Sequence, residues 1–93
     1  MNIEIEYDPD KNQRNIEERD IDFDIAKEFK WDTALIWQDT RKDYTEPRYS
    51  TIGFIHNRLH VLVFTPRNEA IRIISLRKAN KREVKRYDNH QQS

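Results

Sequence analysis

Between Ile71 and Arg86 the chain reads IRIISLRKANKREVKR, and seven of these side chains are cations: Arg72, Arg77, Lys78, Lys81, Arg82, Lys85 and Arg86, with Glu83 the only acid among them. Cations at that density suit a polyanion, and a strand running into a helix, both lined with them, would seat a phosphate backbone. Other residue types offer less. His56 and His60 flank a turn and could face each other across a hairpin, but two histidines without a third ligand make a weak metal site. Both read as surface residues. Without cysteine there are no disulfides and no thiolate metal sites. Trp31 and Trp37 could stack bases, though core or partner contact is the better reading of both.

The elements that must position these groups can be read from periodicity. Ile3 and Ile5 alternate with Glu4 and Glu6, which predicts a short strand over 2–7. Asp8-Pro9 then starts a helix running to about Arg19: Asp caps, and Pro at the first helical position lacks a donor that would be idle anyway. A second helix is expected over 24–29 after an Asp22 cap, burying Phe23, Ile25, Ala26 and Phe29. ALIWQ (34–38) reads as a strand and 39–47 as a turn-rich loop. Three strands follow at 49–55, 59–65 and 70–76, with turns at Asn57-Arg58 and 66–69, Asn57 taking a left-handed conformation. Short connections make these an antiparallel meander. Asn80 followed by Glu83 marks the start of a last helix over about 79–88. Residues 89–93 read as a disordered tail. The expectation is one α+β domain over 1–88: an antiparallel sheet with two N-terminal helices and a C-terminal helix packed on it.

The totals set limits on function. A chain of 93 residues supports one modest core. Charged residues make up 37 %, so most helix faces must be solvated. No apolar run resembles a membrane span or a signal peptide, which points to a cytoplasmic protein. Formal net charge is zero, but residues 1–30 carry ten acids and five bases while residues 70–93 carry seven bases and two acids. A neutral chain is not a general polyanion binder, yet its basic end can be one. Alternatively, the acidic first helix pairs with the basic last one.

Several fragments together resemble the BrnT family of ribonuclease toxins from bacterial type II toxin–antitoxin pairs. The family's opening matches Tyr7, Asp8, Lys11 and Asn15. Its central Arg-x-x-x-Ile-Gly matches Arg48, Ile52 and Gly53, the single glycine of the chain. A Thr-x-Arg matches Thr65 and Arg67, and the C-terminal motif matches Arg72, Ile74, Ser75, Arg77, Lys78, Ala79, Glu83 and Tyr87. The resemblance spans nearly the whole chain and implies a RelE-like toxin fold, which agrees with the element order read from periodicity.

The resemblance also implies a chemistry. RNA cleavage without metal or cofactor needs the ribose 2′-OH deprotonated, the phosphorane charge stabilised and the 5′-oxygen protonated. Arg48, Arg72 and Arg77 form the cationic set that would stabilise the phosphorane, because strands fix them and arginine grips phosphate bidentately. Any of them could instead pair with an acid of the first helix. Lys11, Lys78, Lys81 and Arg82 would touch RNA, or simply be solvated. Where the family carries Lys-His-Gly after the first helix, this chain has Glu18, Arg19 and Asp20. Arginine cannot transfer protons at neutral pH, so the base is unassigned. Tyr87 could act as an acid, or pack.

Three functions compete. One is an endoribonuclease toxin silenced by a ribbon-helix-helix antitoxin of the BrnA type, reaching operator DNA only through it. Another is a weakened homologue acting as the antitoxin's co-repressor. The last is a non-enzymatic RNA-binding module. None involves a membrane.

Overall fold

The computed structural model describes residues 3–92. Strand β1 (Glu4–Glu6) leads into helix α1 (Pro9–Arg19), and two short 3₁₀ turns follow at Phe23–Glu28 and Trp31–Thr33. Strands β2 (Leu35–Asp39), β3 (Arg48–Ile55), β4 (Arg58–Arg67) and β5 (Ala70–Lys78) come next, and helix α2 (Lys81–Gln92) closes the chain. The sheet runs β1-β5-β4-β3-β2.

Most of the expected elements are present, with physical reasons for the exceptions. The meander β2–β5 is antiparallel as the short connections require, but β1 joins β5 parallel, with Ile5 beside Ile71, so the sheet is mixed. Of the range 2–7, only Glu4–Glu6 is strand, and Asn2 lies outside the described residues. The expected second helix is a 3₁₀ turn. Its buried residues Phe23 and Ala26, followed by buried Phe29, recur every three positions. That is the 3₁₀ period, on which i and i+3 eclipse; Ile25 is only half-buried. The left-handed residue of the β3–β4 turn is His56 (φ 56°), not Asn57, and Asn68 (φ 49°) serves the next turn, so Pro66 and Arg67 remain in β4. Of the expected tail 89–93, residues 89–92 continue α2 and Ser93 lies outside the described residues; Gln91 Nε2 donates to the Thr33 carbonyl at 3.0 Å.

The caps behave as their residue types dictate. Asp8 accepts from Asp10 N at 2.9 Å at the start of α1, where Pro9 is the first helical residue. Asp20 takes the left-handed position after α1 (φ 57°), where glycine would be unstrained. Asn80 and Glu83 form a reciprocal capping box, each side chain accepting from the other's backbone N–H at 2.9 Å. Asn15, buried in α1, donates to the carbonyls of Ile21 (2.9 Å) and Leu76 (3.0 Å), fastening α1 to β5 beyond the end of β1.

Two apolar layers cover the sheet. On one side Phe23, Ala26 and Phe29 pack on Ile55, Leu62, Phe64, Ile71, Ile73 and Leu76. On the other, Ala79, Val84 and Tyr87 pack on Ile52, Leu59 and Val61.

His60, expected at the surface, is 5 % exposed. Its Nδ1 lies 2.9 Å from the Arg58 carbonyl, which can only accept, so Nδ1 carries the proton. Burial pushes the imidazole below its ordinary value, the Arg58 carbonyl opposes the shift, and Arg58, Lys78 and His56 reinforce it. The unfolded chain therefore takes up this proton more readily than the folded one, and stability should fall as pH drops through about 6.5. The expected result in acid titrations of the thermal midpoint is a flatter profile for His60→Asn. An unchanged profile would assign the acid sensitivity elsewhere.

Candidate functional site: an arginine-lined sheet face

A single extra residue decides which arginines meet. Val63 pairs with Ser75 but Phe64 with Ile73, so Ile74 is a β-bulge. Arg72 lies opposite Thr65 and Arg77 opposite Val61, and those two β4 residues share a face. Five residues apart, Arg72 and Arg77 would lie on opposite faces of a regular strand; the bulge puts them on one. Arg48 joins them, because Ser50, two residues on, pairs with Val63. Helix α2 covers the end of this face near the β3–β4 turn. The rest is open.

Three clefts indent this part of the face, one of them, about 430 Å³, running along the loop before β3 and past Arg48. Of the other two, the first, about 280 Å³, is lined by Tyr44, Glu46, Arg48, Thr65, Arg67 and Arg72 among others. The second, about 340 Å³, is lined by Trp37, Ser50, Val63, Arg77, Glu83 and Arg86 among others. Arg48 and Arg72 thus share one cleft, while Arg77 lies in the next.

The arginines differ in what already holds them. Arg77 makes a bidentate pair with Glu83, both bonds 2.7 Å, which holds the Glu83 carboxyl below the usual range. Its partner is an acid of the last helix, not the first. Arg72 has a loose contact with Glu6 at 3.7 Å, and Arg67 pairs with Glu46 at 2.9 Å, all four side chains more than a third exposed. Arg48 has no carboxylate within ion-pair distance among the described residues, and its guanidinium lies 4.3 Å over the Tyr44 ring. Arg86 covers Trp37 in the same way at 4.0 Å.

Glu83 holds both the capping box and Arg77, and the two roles can be separated. Glu83→Ala loses the bond from the Asn80 N–H as well as the ion pair, while Asn80 still caps, and should cost about 1–2 kcal/mol in all. Glu83→Gln can still cap and should lose only the ion pair, at most ~1 kcal/mol at this exposure. Equal losses in thermal unfolding would show that the ion pair, not the cap, dominates.

The other expected site residues are scattered. Arg19 is exposed on α1, donates to Asn15 Oδ1 at 3.2 Å and lines none of these clefts. Tyr87 is 5 % exposed and packs edge-on against Phe54, 5.6 Å between centroids, so it belongs to the core. Lys78 lies opposite His60, on the face turned away from Arg77. Lys11 and Arg82 are exposed on the helices, and Lys81 lines a separate, more apolar cleft with Phe54, Leu59 and Val84. The first cleft also contains Tyr44 and Glu46, which nothing in a polar, turn-rich loop distinguishes at the level of sequence.

Residues 7–83 match the model of a protein family described as the ribonuclease toxin BrnT of type II toxin–antitoxin systems. No curated protein matches the chain.

Proposed function

Because this chain belongs to the BrnT family of ribonuclease toxins of type II toxin–antitoxin systems, we propose that it is an endoribonuclease whose substrate phosphate sits in the cleft of Arg48 and Arg72. The observation that carries the reading is the bulge-assembled arginine face, with Arg48 free of acidic partners and aimed with Arg72 at one cavity. The ribose 2′-oxygen attacks the adjacent phosphorus and the bond to the 5′-oxygen breaks. The products are a 2′,3′-cyclic phosphate and a 5′-hydroxyl. Arginines fixed by strands stabilise the added negative charge of the phosphorane without reorganising, and no metal is required for that task. Glu46 lines the same cleft and is held by Arg67, which makes it our candidate for the acceptor of the 2′-OH proton, and the departing 5′-oxygen takes its proton from water.

The partner follows from the same reading. A type II antitoxin silences this chain by covering the arginine face, and a ribbon-helix-helix protein would carry the pair to operator DNA. The pair would act in the cytoplasm; among the described residues no helix is long and apolar enough to cross a membrane.

The test is incubation of the purified chain with single-stranded RNA, with and without chelator. Cleavage in both, leaving cyclic phosphate ends and sparing a strand with 2′-deoxyribose throughout, is the expected result. Cleavage lost on chelation would overturn the metal-independent mechanism. Tight RNA binding with no cleavage would favour the non-enzymatic module.

A further inference from the structure

Asp39 and Arg48 are direct cross-strand neighbours on the arginine face, at the paired ends of β2 and β3. Opposite charges so placed ordinarily attract each other. Here they are not paired. The Asp39 side chain is 3 % exposed, and both of its oxygens are already occupied. Oδ1 accepts from the Arg41 backbone N–H (3.2 Å) and Nε (2.9 Å), while Oδ2 accepts from Arg41 Nη2 (2.8 Å) and the Tyr44 hydroxyl (3.2 Å). Arg41 therefore grips the carboxylate bidentately and holds it well below the usual carboxylate range. Tyr44 connects the two halves of the arrangement: its hydroxyl is tied to the acid, and its ring lies under the Arg48 guanidinium.

We propose that Asp39, Arg41 and Tyr44 are positioning residues that keep Arg48 uncommitted and aimed into its cleft for a substrate phosphate. Arg41 occupies the buried acid that would otherwise capture Arg48. Asp39 in turn fixes Tyr44, so that the ring rather than a carboxylate supports the guanidinium. An aromatic face holds a cation without filling its N–H donors, which leaves the planar fork free for two phosphate oxygens. The loop from Thr40 to Pro47 is then more than a connection. Its Asp39-centred turn, in which a side chain accepts from the backbone two residues on, sets the geometry of one cleft wall. This inference rests on the reading of the Arg48 cleft as a phosphate site.

The experiment measures how affinity for a single-stranded 2′-O-methyl RNA, which binds but offers no 2′-OH to react, depends on salt. Each neutralised phosphate of a single strand contributes about 0.7 to the slope of log K against log salt. Arg48→Gln should lower the slope by about that amount; an unchanged slope would overturn the phosphate-site reading itself. Arg41→Gln leaves Arg48 in place but frees Asp39 to pair with it, so it should lower the slope by a similar amount. Asp39→Asn with Arg41→Gln should restore it, although the double variant removes more bonds than the single one. A loop staple with no bearing on Arg48 gives the opposite order, the double variant at least as impaired as the single. If Arg48→Gln lowers the slope while Arg41→Gln does not, or the double variant fails to recover, the positioning role is refuted. Should Arg41→Gln fail to fold, Tyr44→Leu decides, because it removes the ring under Arg48 and leaves the Arg41–Asp39 pair: a reduced slope supports the proposal, and an undiminished one overturns it.

Discussion

Arg48→Gln is expected to lower the rate of RNA cleavage by about 10²–10³-fold, the usual loss when one pre-positioned donor to a developing oxyanion is removed. The thermal midpoint should barely move. Arg48 has no ion partner to lose, and glutamine places no second negative charge opposite Asp39, as glutamate would. Arg72→Gln should act in the same direction with a similarly small effect on stability, since its 3.7 Å contact with Glu6 is exposed and weak. Arg77 is the informative contrast. Its bidentate partner Glu83 is partly buried, so a variant there changes stability along with rate. Single-turnover cleavage measured beside calorimetric melting separates these outcomes. An Arg48→Gln rate within threefold of the parent would place the phosphate elsewhere.

Gly53→Ala is expected to destabilise the fold by about 1–3 kcal/mol, the range for forcing extra volume into a packed core. A Cβ on Gly53 would meet the Phe29 ring, 2.5 Å from Cζ and 3.0 Å from each Cε. Conformational freedom is not the reason, since Gly53 is ordinary β3 backbone; close approach is. The ring cannot easily give way, because Trp31 packs on it edge-first at 4.7 Å and Phe29 bridges to Ile55. Gly53→Ala with Phe29→Leu should recover part of the loss by opening that space. If the single variant melts like the parent, the segment from Phe29 to Trp31 is more compliant than its packing implies.

How much of this was legible in the sequence depends on whether a feature is local. The caps at Asp8-Pro9 and Asn80–Glu83 and the hairpin strands are set by neighbouring residues, and they lie close to where periodicity placed them. The parallel entry of β1 is set by a contact some 66 residues away, which no local pattern records. The 3₁₀ turn was legible in principle, because Phe23, Ala26 and Phe29 recur every three residues; helical expectation obscured it. The arginine set Arg48, Arg72 and Arg77 came from motif resemblance. Strand parity alone separates Arg72 from Arg77. Tyr44 and Arg41 could not be found at all: their roles exist only once Asp39 is buried beside them. Arg19, the residue that replaces the family's histidine, lies on α1 outside all three clefts.

The bulge at Ile74 means that the charge on this face is written in the length of β5 as well as in its residues. Loss of the single codon for Ile74 would leave Arg72 and Arg77 four residues apart on a regular strand, still on one face, but would remove the bend and added twist that the bulge puts between their clefts. Such a frame-preserving deletion should keep the register of β5 and the placing of α2, and change only the angle between the two clefts. The count of residues in β5, more than the side chain at position 74, then sets that angle.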